Sequence, residues 1–226
     1  MACNGRHIRK DSPAMKMKSY LVPILVTGIA FPVVGAEDEN GWQLAKQVNG
    51  VTIYSRPHAG SKLKEFKAIG EIDAGSKTVH NVIDDVEAYS NFMPYTKECR
   101  VLKKEDNSII TYQRLSPKIV SDRDYTIRIQ KKSWPAENGL AYSNRWEAAN
   151  EEGPPEQPGV FRVKLCEGSW LLEPAGANKT RATYFVFTDS GITVPVFLAN
   201  TISETGITKL FVAVRKQAKD PKYQTK

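Results

Sequence analysis

Few side chains in this sequence are of the types that carry out acid–base or nucleophilic chemistry. Two histidines follow the N-terminal region, His58 in a predicted turn and His80 on the polar side of a predicted helix. Asp84 and Asp85 are adjacent on that helix and therefore point in different directions, unlike a catalytic pair of carboxylates. There is no Gly-x-Ser-x-Gly motif, no Gly-rich phosphate loop and no Cys or His spacing typical of a metal site. The sequence therefore predicts a non-catalytic protein without a metal or a cofactor.

The first 36 residues have the pattern of a secretory signal peptide. Lys16 and Lys18 precede an apolar run over residues 20–34, which ends in the cleavage-like sequence Val34-Gly35-Ala36. We expect cleavage after that sequence and secretion across the inner membrane into a periplasm. The alternative is an uncleaved anchor, but a run of about 15 residues is shorter than the roughly 20 that span a bilayer. Residues 37–226 are expected to form a single domain.

The charge of the protein depends on this leader. The whole sequence has 32 basic and 25 acidic residues, a net charge of +7. Five basic residues and one acidic residue lie in the leader, which leaves 27 and 24, a net charge of +3. So small an excess does not favour nucleic-acid binding. Arg215 and Lys216 suit the C-terminal end of a helix, or a weak and transient attraction to an anionic membrane.

The predicted domain is large enough to fold alone, and we expect a monomer. A chain of this length buries about 70% of the surface that it exposes when unfolded. Cys99 and Cys166 fall in or beside predicted strands, and we expect buried thiols, although an exported protein permits a disulfide.

Alternating apolar residues and turn sequences predict a protein dominated by β-strands. A short opening helix is expected over residues 41–48, and a second helix is expected to be capped by Ser76. A long helix is expected over residues 191–219, where apolar residues recur at helical spacing. The strands are expected near residues 50–56, 63–72, 98–105, 109–116, 123–132, 140–149, 159–173 and 180–189.

The long C-terminal helix indicates how these elements assemble. Val194, Leu198 and Ile202, and then Ile207 and Leu210, give it one apolar face. A helix of this kind after a run of strands must lie across a sheet, and long antiparallel meanders curl. A curved sheet that is closed by one helix can leave a hollow apolar interior. The sequence therefore favours an α+β binding protein.

Three segments of the sequence resemble START domains, the steroidogenic-acute-regulatory-related lipid-transfer domains. Residues 121–128 contain the Arg-Asp-[Phe/Tyr] motif of the family as Arg123-Asp124-Tyr125. The second segment runs over residues 168–174 and continues over 179–184. The third, residues 189–200, resembles the Asp-x-Gly-x₃-Pro-x₂-[Leu/Ile]-x-Asn sequence that leads into the last helix of the family.

The resemblance covers about residues 45–218 and implies a helix-grip fold, a curved antiparallel sheet around the C-terminal helix and a lipid-sized tunnel. It implies non-covalent binding of a sterol, phospholipid, sphingolipid or similar hydrophobic molecule, with opening at the last helix and nearby loops. The predicted function is binding and transfer of such a ligand in the cell envelope. Two alternatives remain open: an enzyme of the cyclase or hydrolase type on the same scaffold, and an envelope interaction module with a filled core.

Arg128 is the polar candidate whose orientation matters most. Sterol-binding members of the family carry a cavity arginine shortly after the Arg-Asp-[Phe/Tyr] motif, and an ungapped count places Ile129 there, one residue beyond Arg128. Successive side chains of a strand face opposite sides. Tyr125, Ile127 and Ile129 share one side, so Arg128 is expected to face solvent in preference to the cavity. The resemblance implies an acidic partner on the preceding strand, but residues 108–114 contain no carboxylate. Gln113 is the nearest polar substitute, and it cannot form an ion pair.

Aromatic and apolar candidates complete the predicted ligand site. Trp146, Trp170 and Phe185 lie in predicted strands and are expected either to face the cavity or to pack in the core. Arg123 and Asp124 are expected to stabilise the start of their strand. The candidates on the last helix are Phe197, Leu198, Thr201, Ile202 and Thr205.

Overall fold

A computed structural model of the chain describes residue 1 and residues 40–118, 120–189 and 196–224. The predicted signal peptide beyond Met1, most of the sequence that leads into the last helix, and the side chain of Leu198 lie outside the described residues. All elements below belong to the unit Gly35–Lys226. The strands are β1 (Gln43–Val48), β2 (Val51–Pro57), β3 (Lys64–Ile72), β4 (Thr96–Lys104), β5 (Ser108–Leu115), β6 (Arg123–Ala136), β7 (Gly139–Ala148), β8 (Phe161–Arg162), β9 (Leu165–Pro174) and β10 (Thr180–Asp189). The helices are α1 (Ser76–Asp84), α2 (Tyr89–Phe92) and α3 (Val196–Gln217), with 3₁₀ turns at Val86–Ala88, Asn150–Glu152 and Pro221–Tyr223.

The strands form one sheet in the order β1-β2-β3-β10-β9-β7-β6-β5-β4, with the two-residue β8 joined to β6. Neighbours along this order are antiparallel, whereas β8 runs parallel to β6. The long helix α3 packs against this sheet. The predicted α+β class, a curved antiparallel sheet with a C-terminal helix, is confirmed.

The segment over residues 41–48 contains a strand, and the predicted opening helix is wrong. β1 pairs with β2 as a hairpin. The residues between the two strands, Asn49 and Gly50, have φ values of 51° and 65°. A pair of residues in this conformation forms the tight turn that matches the twist of a hairpin. Nearly all side chains of β1 are exposed because it is the edge strand, so it shows no alternation of buried residues.

The predicted strand over residues 159–173 is in fact two strands. β9 continues the antiparallel sheet, but Phe161 and Arg162 pair in parallel with Arg123 and Asp124 at the start of β6. Arg162 donates from Nε and NH2 to the Asp124 carboxylate over 2.7 and 3.1 Å. The two side chains are 8% and 1% exposed. This buried ion pair joins β8 to the start of β6, together with hydrogen bonds from the Phe161 and Val163 amides to the carbonyl oxygens of Asp122 and Asp124.

The C-terminal half of α3 is anchored to the sheet. Phe211 is fully buried, and its ring centroid lies 5.3 Å from that of Trp170 on β9. Arg215 donates to the two carbonyl oxygens of the β1–β2 turn and to that of Glu71 on β3. Arg215 therefore attaches the helix to the sheet. This role was not predicted, because the sequence analysis expected only an interaction with the helix end or with an anionic membrane.

α1 covers one end of the sheet. Val79, Val82 and Ile83 are buried at the predicted helical spacing. The helix is preceded by Gly75 as its N-cap, and the hydroxyl of Ser76 donates instead to the carbonyl oxygen of Leu140 over 2.6 Å, so the predicted cap is wrong. Within the described part of the chain, no helix combines the length and the apolar character that crossing a membrane requires.

Cys99 and Cys166 are free and buried. Burial raises the pKa of the Cys99 thiol to about 12 and that of the Cys166 thiol to about 11. Both are therefore thiols at neutral pH, as the sequence predicts, and neither has the thiolate character of a reactive cysteine.

Candidate ligand-binding cavity

A cavity of about 310 Å³ lies between the sheet and α3. This volume falls at the lower end of the roughly 300–1,000 Å³ of small-molecule pockets. Most of the described residues that line the cavity are apolar or aromatic, and none of them is acidic. The chamber therefore suits a hydrophobic molecule.

β6 supplies one wall of the cavity by alternation. Arg123, Tyr125, Ile127 and Ile129 line it, because every second side chain of a strand faces the same side. The Tyr125 hydroxyl donates to Oε1 of Gln113 on β5 over 3.1 Å. These two polar groups satisfy each other within the wall.

Three aromatic rings from β7, β9 and β10 form a second wall. The ring centroid of Tyr184 lies 5.7 Å from that of Trp146 and 4.7 Å from that of Trp170, distances typical of favourable aromatic pairs. The Trp146 ring passes over Gly168, where an added Cβ would lie 2.3 Å from it. Glycine is needed at this position because any side chain would displace the indole.

α3 closes the cavity with one face of its N-terminal and central turns. The described lining residues on this helix are Ala199, Asn200, Ile202, Ser203, Gly206, Ile207 and Leu210. Their spacing of three and four positions places them on one side of the helix. A Cβ at Gly206 would meet only the Tyr95 ring, at an ordinary contact distance of 3.9 Å. Gly206 is therefore not required for a close approach of the backbone.

Burial keeps three phenols of the cavity lining protonated. It raises the pKa of Tyr89 and Tyr125 well above the ordinary value for tyrosine, because a low dielectric disfavours the phenolate. Burial also raises the pKa of Tyr184. Acid–base catalysis requires groups whose pKa lies near the working pH, and these shifts move the phenols away from it.

Two buried polar atoms in the lining have no hydrogen-bond partner. They are Nε of Arg123 and Oδ1 of Asn144. Buried polar groups in proteins are nearly always paired. Both residues line the cavity, and each has hydrogen-bonding capacity that the described residues do not use.

Several predicted ligand-binding residues do line the cavity. Their contact with a ligand stays a prediction, and the side chain of Leu198 lies outside the described residues. Trp170, which the sequence left between cavity and core, also lines the chamber. The four predicted residues that the structure places in the lining are Gln113, Ile129, Trp146 and Ile202.

Arg128 and Phe185 do not line the cavity, which corrects their inclusion in the predicted site. Arg128 pairs with Glu105 at 2.7 Å and with Glu152 at 2.6 Å, on the side of β6 that strand alternation predicts. Phe185 alternates with the lining residues of β10 and packs edge-on against Trp42, with ring centroids 6.1 Å apart.

Phe197, Thr201 and Thr205 are also absent from the lining. The Phe197 side chain is 72% exposed, and the exposed Thr201 donates its hydroxyl to the Phe197 carbonyl oxygen over 3.0 Å. Asn200 and Ser203 supply the polar part of this wall instead. The prediction failed because the helix face over the cavity is rotated from the one that holds the two threonines.

The two histidines lie outside the cavity lining as well. His58 Nδ1 is 3.0 Å from Oε2 of Glu65, and its ring stacks on Phe187 with centroids 3.5 Å apart. His80 stacks on Tyr142 with centroids 4.3 Å apart and is half-buried, so it does not lie on a solvated polar side as predicted. No cluster of His, Cys, Asp and Glu that could hold a metal ion occurs among the described residues.

Sequence reasoning missed Tyr89, Asn144, Tyr184 and Arg123 as lining residues. The three that lie on strands could have been predicted from strand alternation, since each is an even number of positions from another lining residue of its strand. Tyr89 belongs to the short helix α2, where no periodic signal marks it.

An antiparallel sheet that closes on a C-terminal helix around an apolar cavity defines the helix-grip class of ligand-binding proteins. The chain belongs to the polyketide cyclase / dehydrase and lipid transport family, whose family model matches residues 72–213. A STAR-related lipid transfer protein fragment from Xanthomonas axonopodis has a similar structure, with a TM-score of 0.70 and 29% sequence identity over 80% of this chain and 99% of that chain. The predicted resemblance to START domains is confirmed.

Two relatives are similar over most of their length. An uncharacterized protein of Pseudomonas aeruginosa is 30% identical over 185 residues, which are 81% of this chain and 90% of that protein. The phosphatidylcholine transfer protein of Mus musculus is 25% identical over 167 residues, which are 74% of this chain and 78% of that protein. The family description covers both cyclases and lipid transport, so membership alone does not distinguish between these two activities.

Proposed function

We propose that this protein binds one lipid-like molecule in the cavity under α3 and transfers or presents it in the cell envelope. The cavity itself carries the proposal. Protein interiors pack with few voids larger than a water molecule, whereas this chamber of about 310 Å³ is lined largely by apolar and aromatic groups. An envelope module with a filled core would not keep such a space.

The similarity to phosphatidylcholine transfer proteins makes a phospholipid the first ligand to test. The volume favours a slender molecule, and a bulkier two-chain lipid would need the cavity to widen.

The chemistry of the lining supports a carrier rather than an enzyme of the cyclase or hydrolase type. Burial raises the pKa of three of its tyrosines, Tyr89, Tyr125 and Tyr184, and that of the Cys166 thiol. Groups whose pKa is raised in this way are poor acid–base catalysts near neutral pH. Lipid recovered from the protein is therefore expected to be chemically unaltered.

The proposed site of action is the periplasm, after removal of residues 1–36. The intact mass of protein from the periplasmic fraction of a Gram-negative host tests this directly. We expect a monomer whose mass begins at Glu37. A protein that retains the leader and stays with the membrane fraction would contradict both the cleavage and the location.

The exposed apolar start of α3 supports a transient membrane contact during lipid exchange. Val196 is 40% exposed and Phe197 is 72% exposed. Phe197→Ser is expected to slow transfer of a fluorescent phospholipid between vesicles without lowering the melting temperature. An unaltered transfer rate would remove Phe197 from the proposed contact.

Native mass spectrometry of protein purified from its own host tests the central proposal. We expect a bound lipid mass in a ratio of one to one. A lipid added at a hundredfold excess over its Kd stabilises the fold by about 2.7 kcal/mol. At roughly 2–4 °C per kcal/mol, the melting temperature rises by about 5–11 °C. Protein with no bound lipid that no hydrophobic ligand stabilises would refute the carrier function.

A matched pair of variants on α3 separates binding in the cavity from binding elsewhere. Ser203 lines the cavity and Thr201 does not, and both donate their hydroxyl to the carbonyl four residues earlier. Ser203→Trp is expected to fill the chamber and abolish lipid binding, whereas Thr201→Trp leaves binding intact. Equal effects of the two substitutions would show that the lipid binds somewhere else.

A further inference from the structure

The charge of the cavity lining is uneven. Of its described residues, Lys64 and Arg123 are cationic and none is acidic. Lys64 is half-buried, and its Nζ lies 3.5 Å from the Ser55 hydroxyl. Arg123 is only 8% exposed. Among the described residues, the cavity thus holds a nearly buried positive charge without a negative charge in its own wall.

The hydrogen bonds of Arg123 are incomplete. NH1 donates to the Ser121 carbonyl oxygen over 2.6 Å, but the buried Nε has no partner. The guanidinium carbon lies 5.8 Å from the ring centroid of Phe161. Within the described part of the chain no carboxylate pairs with Arg123, and burial alone lowers its pKa. A guanidinium remains charged at neutral pH even so.

Two neighbouring arginines are paired with carboxylates, unlike Arg123. Arg162, which is similarly buried, has Asp124 as its partner. Arg128 on the same strand has two glutamates. Removing one partner of a buried charge leaves a costly, uncompensated charge. Among the described residues, Arg123 has no such carboxylate partner.

Asp124 cannot supply the missing negative charge, although it is the next residue. It lies on the opposite side of β6 and accepts two hydrogen bonds from Arg162. It also accepts one from the Tyr112 hydroxyl over 3.0 Å. Arg123 instead shares the cavity side with Tyr125.

We infer that Arg123 binds an anionic oxygen group of the lipid, a phosphate or a carboxylate, inside the cavity. This inference rests on the proposed function and narrows its ligand to lipids with an acidic head, in preference to sterols and other neutral lipids. The free donor of a guanidinium matches such groups in charge and geometry. Binding would neutralise the buried charge.

Two matched pairs of lipids test the inference with the purified protein. Oleic acid differs from oleyl alcohol, and dioleoyl phosphatidic acid from dioleoylglycerol, chiefly in the anionic group. Affinities are measured by displacement of a fluorescent long-chain alcohol. The acidic member of at least one pair is expected to bind about tenfold more tightly or better, because hydrogen bonds to charged groups are the strong ones. The pair that shows the preference distinguishes a carboxylate from a phosphate.

The matched control lies on the same strand. Arg123→Leu is expected to remove the preference for the acidic member of the pair, and Arg123→Lys is expected to keep part of it. Arg128→Leu is expected to keep all of it, since Arg128 is outside the cavity lining. The melting temperature of ligand-free Arg123→Leu is not expected to fall, because the substitution removes an unpaired charge. Should that variant fail to fold, Arg123→Gln takes its place.

The outcomes separate this inference from the proposed function. If the wild-type protein binds both members of each pair equally, or if Arg123→Leu retains the preference, the role of Arg123 is wrong and the lipid carrier stands. If neither the lipids nor the fluorescent alcohol bind, the carrier function itself fails. Inorganic phosphate is the third probe. If it stabilises the protein as much as phosphatidic acid does, the site takes a free anion and the inference about a lipid head is overturned.

Discussion

The ion pair between Asp124 and Arg162 is expected to contribute more to stability than any exposed pair of the fold. The Asp124 carboxylate accepts bonds of 2.7 and 3.1 Å from Arg162 and one of 3.0 Å from the Tyr112 hydroxyl. Asp124→Asn preserves the volume of the side chain but removes its charge. It leaves the Arg162 guanidinium, 8% exposed, without its carboxylate.

The expected cost follows from this burial. Breaking a buried ion pair by removal of one partner costs about 3–5 kcal/mol, a large part of the roughly 5–15 kcal/mol that stabilises a domain. At about 2–4 °C per kcal/mol for a domain of this size, the melting temperature falls by roughly 6–20 °C. This pair helps to hold β8 on β6, so the pairing of these two strands is expected to be lost first.

Urea unfolding followed by tryptophan fluorescence measures the effect as a lower midpoint at constant slope. Arg128→Gln is the control, because it breaks two ion pairs at a more exposed position of the same strand, where solvent screens them. The double substitution Asp124→Leu with Arg162→Met is expected to recover much of the loss, since it leaves no unpaired charge. The reasoning is refuted if Asp124→Asn costs no more than Arg128→Gln.

Three further predictions concern the wall of the cavity and the half-buried His80. Gly168→Ala is expected to lower the free energy of unfolding by about 1–3 kcal/mol, because its Cβ would lie 2.3 Å from both the Phe185 carbonyl oxygen and the Trp146 ring; an unaltered urea midpoint would contradict this. Gly206→Ala is expected to raise that free energy by up to about 1 kcal/mol in the same assay, since the nearest atom to its Cβ is at 3.9 Å; a loss of stability would show that the glycine conformation is needed. Burial lowers the pKa of His80, so the unfolded state binds the proton more readily and stability falls as the pH drops from about 7.5 through the unfolded value near 6.5. The urea midpoint is expected to decline less over that pH range in His80→Gln than in the wild-type protein. An equal decline in the two proteins would contradict the assignment to His80.

Alternation along the strands was enough to predict most of the sheet and the outward orientation of Arg128. A strand with one buried side has a period of two, which the sequence shows directly. The same period places Arg123 on the cavity side, two positions before Tyr125. The sequence analysis expected Arg123 to stabilise the start of its strand, because charged residues at strand ends usually have a structural role. Only the structure distinguishes it from such a residue, since no carboxylate among the described residues pairs with it.

Other features depend on contacts that no local pattern contains. The pairing of Asp124 with Arg162 joins residues 38 positions apart, and it divides a segment that alternates like one continuous strand. The edge strand β1 buries too little to alternate, although Asn49-Gly50 is a strong hairpin signal. The rotation of α3 over the cavity is set by packing against the sheet, because its apolar residues are spread widely enough around the helix to permit more than one face.

For the proposed lipid carrier, the unequal anchoring of α3 predicts that the lipid enters at the N-terminal end of this helix. Beyond the cavity, the helix is fixed by the buried Phe211 and by the three hydrogen bonds that Arg215 donates to carbonyl oxygens. The first turn has no comparable attachment among the described residues, and it exposes Val196 and Phe197. Because the lining residues lie between these two ends, a pivot about the Arg215 end is expected to widen the cavity while the anchored contacts are kept. The same movement would present the exposed apolar turn to a membrane, which joins ligand entry and membrane contact in one displacement of the helix.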